Sequence, residues 1–376
     1  MEHTSVFLVK NTIMIKNSNY TDLEILKEEQ NKIFHESWFY VGLKEKLVNK
    51  NDFITYSCGE VSLFVQNFGD KLKAFSNICL HRFNNIHQSN EGNGMLVCSY
   101  HNWVYNDNGE PIVGFPCLKE ELNKCERNRL EEYDVDSCGE FVFVKINNNS
   151  TITLKEQLDS FYPLLENLSS HFDHIINKET IVLDHKSNWK LLVENVLECY
   201  HCSSVHKETL VPMGIGSKKP EGHFYEKGND KIDYPMRKTS TQAEREEKLP
   251  FLGKTTYLHK SLQHWFIYPN LFITSTAGNL FYVGRMMPNT ANNTQLHTQF
   301  VKPTYTELSK KESIVLNAYA TASIDSAQKV IFEDREILEL IQQNMEIIPK
   351  LSQIFGEEEF RIKLFHDKIT ELINYK

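Results

Sequence analysis

The sequence lacks any long apolar run. No stretch approaches the roughly 18 apolar residues that a membrane-spanning helix needs, so we expect no membrane partner. The first 16 residues are mildly apolar, but they carry no basic leader and no small-residue cleavage site, and Lys10 and Asn11 interrupt them. We therefore expect no secretion signal, and we expect a cytoplasmic location.

Basic clusters and a dinucleotide motif are also missing. The formal net charge is −9, and no basic block or basic stripe with interleaved aromatics occurs, so nucleic acid is not an expected partner. No G-x-G-x-x-G motif is present either. This absence argues against a Rossmann-type dinucleotide site, so electrons from NAD(P)H would have to arrive through a separate protein.

The composition is that of a globular protein. Hydrophobic residues make up 40% of the 376 residues and charged residues 24%, and the length suggests about two domains. In a chain of this length without an export signal, cysteines are expected as thiols or metal ligands rather than as a disulfide framework. The eight cysteines are Cys58, Cys79, Cys98, Cys117, Cys125, Cys138, Cys199 and Cys202.

Residues 38–146 carry the pattern of a compact all-β domain of short strands. Alternating apolar residues flank the turn at Gly69, and a second candidate hairpin contains Asn108-Gly109, a favoured hairpin turn. A polar helical pattern precedes this domain, and we expect the N-terminal segment 1–37 to be helical and to pack on the C-terminal domain.

The C-terminal segment 147–376 has a mixed pattern, with strands expected at 180–185 and 263–300. Helices are expected at 189–202 and 307–345. Residues 207–260 are rich in Lys, Glu, Gly and Pro with few aliphatic residues, which predicts a mobile insertion.

The first candidate metal-binding group lies within the β domain. Cys79 and His81 form a C-x-H pair, and Cys98 and His101 form a C-x-x-H pair sixteen residues after Arg82. A Rieske [2Fe–2S] centre needs two Cys on one iron and two His on the other, which two facing turns can supply. A structural zinc site is the alternative, although C-x-H is a poor half-site for a zinc finger.

The second candidate group consists of His201, His206 and a carboxylate. Two His and one carboxylate on one face of a metal are typical of non-haem Fe(II) sites that activate O₂. Residues five apart on a helix differ by about 140°, so both His can reach one metal only if the helix ends between them. Ser203 and Ser204 are suitable residues for that break.

Asp334 is the best candidate for the carboxylate, because it lies at the centre of an apolar helical stripe. An acid that faces a core is costly unless it is paired or bound to a metal. The alternative is a buried acid held by hydrogen bonds. Glu333 lies about 100° from that axis and is expected to be solvated. The stripe consists of Ala327, Val330, Ile331, Ile337, Leu338 and Ile341.

Both groups resemble the motifs of Rieske non-haem iron oxygenases, the family of aromatic-ring-hydroxylating dioxygenase alpha subunits. The resemblance rests on Cys79-x-His81, on Cys98-x-Tyr-His101-x-Trp103, and on the segment from Asn188 to His206. The family often has Pro, Gly and Gly where this chain has Leu80, Phe83 and Asn102. Asn102 is therefore expected to take a left-handed backbone conformation, which Asn tolerates well.

The resemblance implies an α+β fold, with an all-β Rieske domain and a helix-grip catalytic domain built from an antiparallel sheet with long helices. It implies a [2Fe–2S] cluster and a mononuclear Fe(II) as cofactors. The implied partners are O₂, a small organic substrate and a separate NAD(P)H-dependent reductase or ferredoxin. It also implies a homotrimer in which the cluster of one subunit serves the iron of the next.

In this family an acidic residue three positions before the first His links the iron of one subunit to a cluster His of its neighbour. Glu198 holds that position, although the helical pattern alone leaves Glu194 open. The run Glu-Cys-Tyr-His-Cys is similar to the choline, carnitine and glycine betaine monooxygenases, which implies a quaternary ammonium substrate. Six aromatic residues of the strands within 263–300 could surround such a cation through cation–π contacts, or they could be sheet core. They are Trp265, Phe266, Tyr268, Phe272, Phe281 and Tyr282.

Three other functions stay open at this point. One is hydroxylation or demethylation of an aromatic or natural-product substrate. Another is an electron carrier that uses only the Rieske cluster, against which the second metal motif argues. The last is an interaction module organised by zinc.

Overall fold

The fold is described by a computed structural model, which covers residues 14–113, 128–177, 179–216 and 218–373. The apolar start of the chain and the cysteines Cys117 and Cys125 lie outside these residues. Two antiparallel sheets and a set of helices form the α+β architecture that the sequence predicts.

The first sheet is seven-stranded, in the order β1-β9-β8-β4-β3-β2-β5, and a separate β6-β7 hairpin accompanies it. Both hairpins expected from the sequence are confirmed, because β3 pairs with β4 and β6 pairs with β7. Gly109 has a φ of 74°, which the second turn requires and glycine adopts freely. The strands are β1 Phe39–Leu43, β2 Asp52–Cys58, β3 Val61–Asn67, β4 Leu72–Ser76, β5 Glu91–Asn93, β6 Val104–Tyr105, β7 Pro111–Val113, β8 Glu132–Cys138 and β9 Phe141–Lys145.

The second sheet is eight-stranded, in the order β10-β17-β16-β15-β14-β13-β12, and β11 also pairs with β17. The strands expected at 180–185 and within 263–300 are confirmed. The strands are β10 Phe172–Ile175, β11 Ile181–His185, β12 Glu221–Glu226, β13 Asn229–Pro235, β14 Ser261–Ile267, β15 Leu271–Thr276, β16 Phe281–Thr290 and β17 Asn293–Pro303.

Residues 207–260 are not the insertion outside the core that their composition suggested. They contribute β12 and β13 to the second sheet, and Ile232 and Tyr234 are buried there. The polar composition misled because β13 also buries Asp230, whose carboxylate pairs with the guanidinium of Arg361 at 2.6 Å. A buried charge of this kind is tolerated because its partner neutralises it.

Helices flank the sheets, and none of those in the described part of the chain is both long and apolar enough to cross a membrane. The longest, α8, confirms the helix expected over 307–345, and Ser309 caps its first turn by accepting a bond from the Glu312 amide. The helices are α1 Ser18–Thr21, α2 Leu23–Glu29, α3 Leu154–Leu158, α4 Phe161–Ser169, α5 Trp189–Leu197, α6 Cys202–Val205, α7 Ser240–Lys248, α8 Lys310–Ile347 and α9 Phe360–Leu372. Short 3₁₀ segments cover Lys44–Leu47, Val211–Met213, Pro250–Lys254 and Glu357–Glu359, and a π-helical turn covers Gln30–Phe34.

A buried arginine joins the two sheets. Arg285 on β16 donates to the carbonyl oxygens of Val41 on β1 and Thr55 on β2, and it lies 5.6 Å from the Tyr56 ring centre. These contacts engage hydrogen-bond donors of the guanidinium. No carboxylate takes part among the described residues, where Arg285 forms no ion pair. Arg285 is therefore one of the side chains that join the two sheets, together with Asn270, whose amide bonds both backbone groups of Tyr40.

The N-terminal helices anchor α5 through a buried ion pair. The Glu29 carboxylate accepts from Lys190 Nζ at 2.5 Å and from Trp189 Nε1 at 2.7 Å, and the Glu29 and Lys190 side chains are 0% exposed. Nearby, the Glu194 carboxylate accepts from the Tyr20 hydroxyl at 2.5 Å and contacts His366 Nε2 at 2.7 Å. The start and the middle of α5 are thus held by side chains distant in sequence.

We expect Lys190→Met to destabilise the protein strongly, because it removes the cation that neutralises the buried Glu29 carboxylate. The free energy of unfolding should fall by about 3–5 kcal/mol, measured by chemical denaturation. Lys27→Met is the matched control, since its ion pair with Glu24 is exposed and the unfolding midpoint should hardly move. Equal effects of the two substitutions would contradict this role for the buried pair.

Candidate metal centres

Two loops of closely similar geometry present the first candidate ligands. In each loop the amide of the residue four after the cysteine donates to the cysteine carbonyl, Phe83 to Cys79 at 3.0 Å and Asn102 to Cys98 at 2.9 Å. Phe83 and Asn102 have φ of 61° and 55°, so the left-handed conformation expected for Asn102 is confirmed and Phe83 shares it. In return, the amide of each cysteine donates to the carbonyl of the residue five positions later, Cys79 to Asn84 and Cys98 to Trp103.

These loops bring Cys79, His81, Cys98 and His101 together. Burial raises the pKa of the Cys79 thiol, as does the neighbouring Cys98 thiol, and the two imidazole ring centres are 4.5 Å apart. His81 stacks on Trp103 at 5.0 Å. Two thiols beside two imidazoles form the donor set that a Rieske [2Fe–2S] centre requires.

An unpartnered buried atom supports a metal group at this place. The Nδ1 atom of His81 is buried and has no hydrogen-bond partner among the described residues. A buried polar atom without a partner costs free energy of folding unless a bound group satisfies it, and a metal would do so. The Tyr105 hydroxyl lies 3.1 Å from the Cys79 sulfur, where it can donate to a thiolate.

The second candidate group begins where α5 ends, and this differs from the expected break at Ser203 and Ser204. The helix stops at Leu197, Glu198 is extended, and the two serines lie inside the short helix α6. The cause is the Glu198 side chain, whose carboxylate accepts from the backbone amides of Tyr200 and His201. A local side-chain bond of this kind competes with the helical pattern and ends it.

The turn after α5 also corrects the expectation that the cysteines would be thiols or metal ligands. Cys199 and Cys202 form a disulfide, with their Cα atoms 4.9 Å apart. The Cys202 amide donates to the Cys199 carbonyl, which folds the chain into the tight turn that such a pair needs. Four other cysteines of the described residues, Cys58, Cys79, Cys98 and Cys138, are free and buried.

His201, His206 and Asp334 converge on one point. The Asp334 Oδ1 atom lies 3.5 Å from His201 Nε2 and 3.1 Å from His206 Nε2. Neighbouring ligands roughly 2.1 Å from one metal, at right angles, are about 3 Å apart, so these donors have the spacing for a common ion. The Asn195 amide donates to Asp334 Oδ1 at 3.2 Å and orients it.

The opposite ring nitrogen of each imidazole contacts a carboxylate. His201 Nδ1 bonds to Glu198, and His206 Nδ1 lies 2.7 Å from Glu333 Oε2. Glu333 also accepts from the Thr209 hydroxyl, so the expectation that it is solvated was wrong. Burial lowers the pKa of His206, but Asp334 and Glu333 more than offset this and raise it overall.

The same contacts show which of Glu194 and Glu198 lies beside His201, a question that the helical pattern alone left open. Glu194 is engaged by Tyr20 and His366, whereas Glu198 contacts the imidazole of His201. Glu198 is therefore the acid beside the candidate iron site, and Glu194 belongs to the anchoring of α5.

A cavity of about 430 Å³ opens beside the His201, His206 and Asp334 group. Its wall is mostly apolar and comes from α5, α8 and the face of the second sheet. The aromatic residues that line it are Phe272, Tyr282, Phe300 and Tyr319.

Of the aromatic residues expected around the substrate, Phe272 and Tyr282 line this cavity, whereas Trp265, Tyr268 and Phe281 do not. These three are buried in the core instead, as is Phe266. For Trp265 and Phe281 the reason is strand alternation, since their neighbours His264 and Tyr282 face the cavity and they point to the opposite face. The sequence pattern thus identified the correct strands and two of the lining aromatic residues, but it did not distinguish the two faces.

His185 is a cavity residue that the sequence motifs did not single out. It is 2% exposed, and neither ring nitrogen has a hydrogen-bond partner among the described residues. Burial lowers its pKa to about 4, so the ring is neutral at physiological pH. His264 also lines the cavity, but its Nδ1 is engaged by the carbonyl of Val196 at 3.0 Å.

Comparison with known families agrees with this division into two metal-binding parts. Residues 37–134 match the Rieske [2Fe-2S] domain, and residues 172–374 match the catalytic domain of the ring hydroxylating alpha subunit. A carnitine monooxygenase oxygenase subunit from Acinetobacter pittii is 29% identical over 189 residues, which is 50% of this chain and 51% of that protein. The chain thus spans about half the length of the curated relatives it matches.

Solved structures share the fold over almost the whole chain. A quaternary ammonium Rieske monooxygenase, solved in work on carnitine oxidation by gut microbiota, superposes with a TM-score of 0.75 at 19% identity, covering 96% of both chains. Naphthalene 1,2-dioxygenase from Rhodococcus sp. gives a TM-score of 0.74 at 15% identity, covering 96% of this chain and 94% of that one. With its Rieske domain and its matching catalytic domain, this chain belongs to the family of Rieske-type ring-hydroxylating oxygenase alpha subunits.

Proposed function

We propose that the chain is the oxygenase component of a Rieske oxygenase, which inserts oxygen from O₂ into a small organic substrate. The observation that carries this proposal is the cavity of about 430 Å³ that opens on His201, His206 and Asp334 in a chain that also has a Rieske ligand set. An electron carrier would need the cluster but not a cavity beside a second group of metal donors.

Cys79 and Cys98 would hold one iron of the [2Fe–2S] cluster, and His81 and His101 the other. His201, His206 and Asp334 would hold the mononuclear iron. When bound, the cluster supplies single electrons and the mononuclear iron supplies a place to activate O₂.

The surrounding side chains would prepare the site before substrate arrives. Glu198 and Glu333 hold the Nδ1 atoms of the two imidazoles, so both Nε2 atoms face Asp334, where a metal would bind. Asn195 orients the carboxylate of Asp334. The mostly apolar cavity wall offers water few hydrogen-bond partners, which would limit the access of water to a bound substrate.

We infer that electrons arrive from a separate reductase or ferredoxin in the same cytoplasmic compartment, and that the chain works as a cyclic trimer. His101 and Tyr100 are exposed, so the edge of the cluster is accessible to another chain. A structural relative was solved in work on inter-subunit electron transfer. Glu198, beside His201, would link the iron of one subunit to the cluster of its neighbour.

Because a cyclic trimer contains three copies of the chain, light scattering should give three times the mass of the chain.

We infer a quaternary ammonium substrate. The curated relative that supports this inference is a carnitine monooxygenase subunit, and the cavity offers Phe272, Tyr282 and Phe300 for cation–π contact. Hydroxylation or demethylation of an aromatic or natural-product substrate is the second candidate, which the apolar wall and the naphthalene dioxygenase fold favour.

An O₂-uptake screen with a surrogate reductase tests the activity. Carnitine, glycine betaine and choline form one arm, and naphthalene and anthranilate form the other. The proposal requires substrate-dependent O₂ uptake together with an oxidised product. A protein that holds the cluster but no third iron, and that consumes no O₂ with any compound, would be an electron carrier instead.

Asp334→Ala should lose the mononuclear iron and all turnover while it keeps the visible spectrum of the cluster. The iron content should fall from about three to about two per chain, because the substitution removes one of three donors at the second site. Glu336→Ala on the same helix is the control, since Glu336 is exposed and should leave the iron content unchanged. Full iron content in Asp334→Ala would refute the assignment.

Glu333→Ala should weaken binding of the mononuclear metal about 10–100-fold, because His206 loses the carboxylate that fixes its ring. Glu333→Gln keeps a hydrogen-bond acceptor without the charge, and its loss should be smaller. Competition with a metal chelator measures both variants. Unchanged affinity in Glu333→Ala would show that the contact with His206 Nδ1 does not matter for the metal.

Glu198→Gln should keep both metal centres and stall transfer between them. The chemically reduced variant should reoxidise its cluster slowly when O₂ and substrate are added, as followed by stopped-flow absorbance. Gln can still accept from the amides of Tyr200 and His201, so the turn should stay folded. Glu194→Gln is the comparison variant, and its effect should be on unfolding rather than on cluster reoxidation. A wild-type reoxidation rate in Glu198→Gln would disprove the role.

A further inference from the structure

The cavity beside the candidate iron site has a cationic outer end. Arg245 on α7 is the only arginine or lysine among the described residues that line it. Arg245 and Asn279 also line a second, outer cavity of about 480 Å³. The two side chains therefore stand where the inner cavity meets the outer one.

Three hydrogen-bond donors are available at this end. Arg245 Nη1 donates to the hydroxyl oxygen of Tyr319 at 3.3 Å, which leaves the Tyr319 proton free to point elsewhere. The Tyr305 hydroxyl donates to the Asn279 Oδ1 atom at 3.1 Å. That bond fixes the amide, and the Asn279 Nδ2 atom has no hydrogen-bond partner among the described residues.

The positive charge of Arg245 is not neutralised within the described part of the chain, where no ion pair forms at this residue. The two acids that line the inner cavity, Glu198 and Asp334, are engaged at the metal end with His201, His206 and Asn195. The cavity thus has its carboxylates and candidate metal at one end and an unpaired guanidinium at the other, with apolar wall between them.

We propose that Arg245, Tyr319 and Asn279 bind a carboxylate group of the substrate and so set the direction in which the substrate lies in the cavity. This inference rests on the proposed function, because it takes the cavity as the substrate site. A guanidinium matches the two oxygens of a carboxylate in a planar fork, and amide and hydroxyl donors complete the site. A carboxylate held there directs the other end of the molecule toward His201, His206 and Asp334.

A purely structural role for Arg245 is the competing explanation. Its side-chain bond to Tyr319 could serve to hold α7 against α8. A structural arginine would change stability but would not make the cavity discriminate between a charged and a neutral ligand. Ligand discrimination is therefore the property to measure.

Calorimetric titration of the iron-loaded protein under anaerobic conditions provides the test. The probes are straight-chain carboxylates of about four to eight carbons, a size suited to a small-molecule cavity, together with L-carnitine, each paired with its methyl ester. We expect the carboxylates to bind about tenfold more tightly than the esters, the scale of one charge-assisted hydrogen bond.

Arg245→Gln should abolish that preference and leave the affinity for the esters unchanged, which also shows that the variant is folded. Arg245→Lys should keep part of it, because the charge remains while the planar fork is lost. Lys248→Gln is the matched control, since it removes one positive charge from the same helix at an exposed side chain that pairs with Glu244. Carboxylates that bind wild type no better than esters, or an unchanged preference in Arg245→Gln, would overturn the proposal.

The Asp334→Ala variant separates this inference from the proposed function. If the carboxylates bound to the mononuclear metal instead of Arg245, their preference would vanish in Asp334→Ala and persist in Arg245→Gln. We expect the reverse pattern. O₂ uptake reports independently on the oxygenase activity, so a protein without oxygenase activity could still show the carboxylate preference, and an active oxygenase could lack it.

Discussion

The candidate iron site depends on where one short helix is held and where it ends. Asn188 caps the start of α5 and accepts from the Lys190 amide, and the buried Glu29 carboxylate accepts from the side chains of Trp189 and Lys190 in the first turn. Tyr20 and His366 fix the middle through Glu194. The end is set by Glu198, which replaces helical hydrogen bonds with its own. Because both imidazoles follow within nine residues of that end, any shift of α5 would move them away from Asp334.

The two candidate metal groups are built by different means. Backbone hydrogen bonds in two left-handed turns arrange the ligands of the first, so the loops themselves define its shape. Side chains from separate elements arrange the second, with Asn195, Glu198 and Glu333 each orienting one donor. The first design suits a rigid store of electrons. The second leaves one side open, and the cavity lies on that side.

Much of this arrangement could be predicted from the sequence, and the failures have physical causes. Local motifs gave the ligand candidates Cys79 and His201, and the apolar stripe of α8 gave Asp334. The position where α5 ends was missed because it depends on one side chain folding back onto its own backbone. Glu333 was misjudged because helical angle alone says nothing about Thr209 and His206, which face it. The aromatic residues that line the cavity were only partly separated from those of the core, because aromatic residues occur on both sides of β14 and β16. The packing of α5 and α8 decides which side is the cavity.

The arrangement of acids has a consequence for which metal the second group would take. Glu198, Glu333 and Asp334 surround two imidazoles, and a group of three carboxylates attracts divalent cations in general. Oxygen and nitrogen donors of this kind do not prefer iron, since affinities rise along the series from Mn²⁺ to Cu²⁺. Zinc or copper in a growth medium or buffer would therefore compete successfully. Iron occupancy in such a protein is decided by metal supply during folding as much as by the chemistry of the ligands.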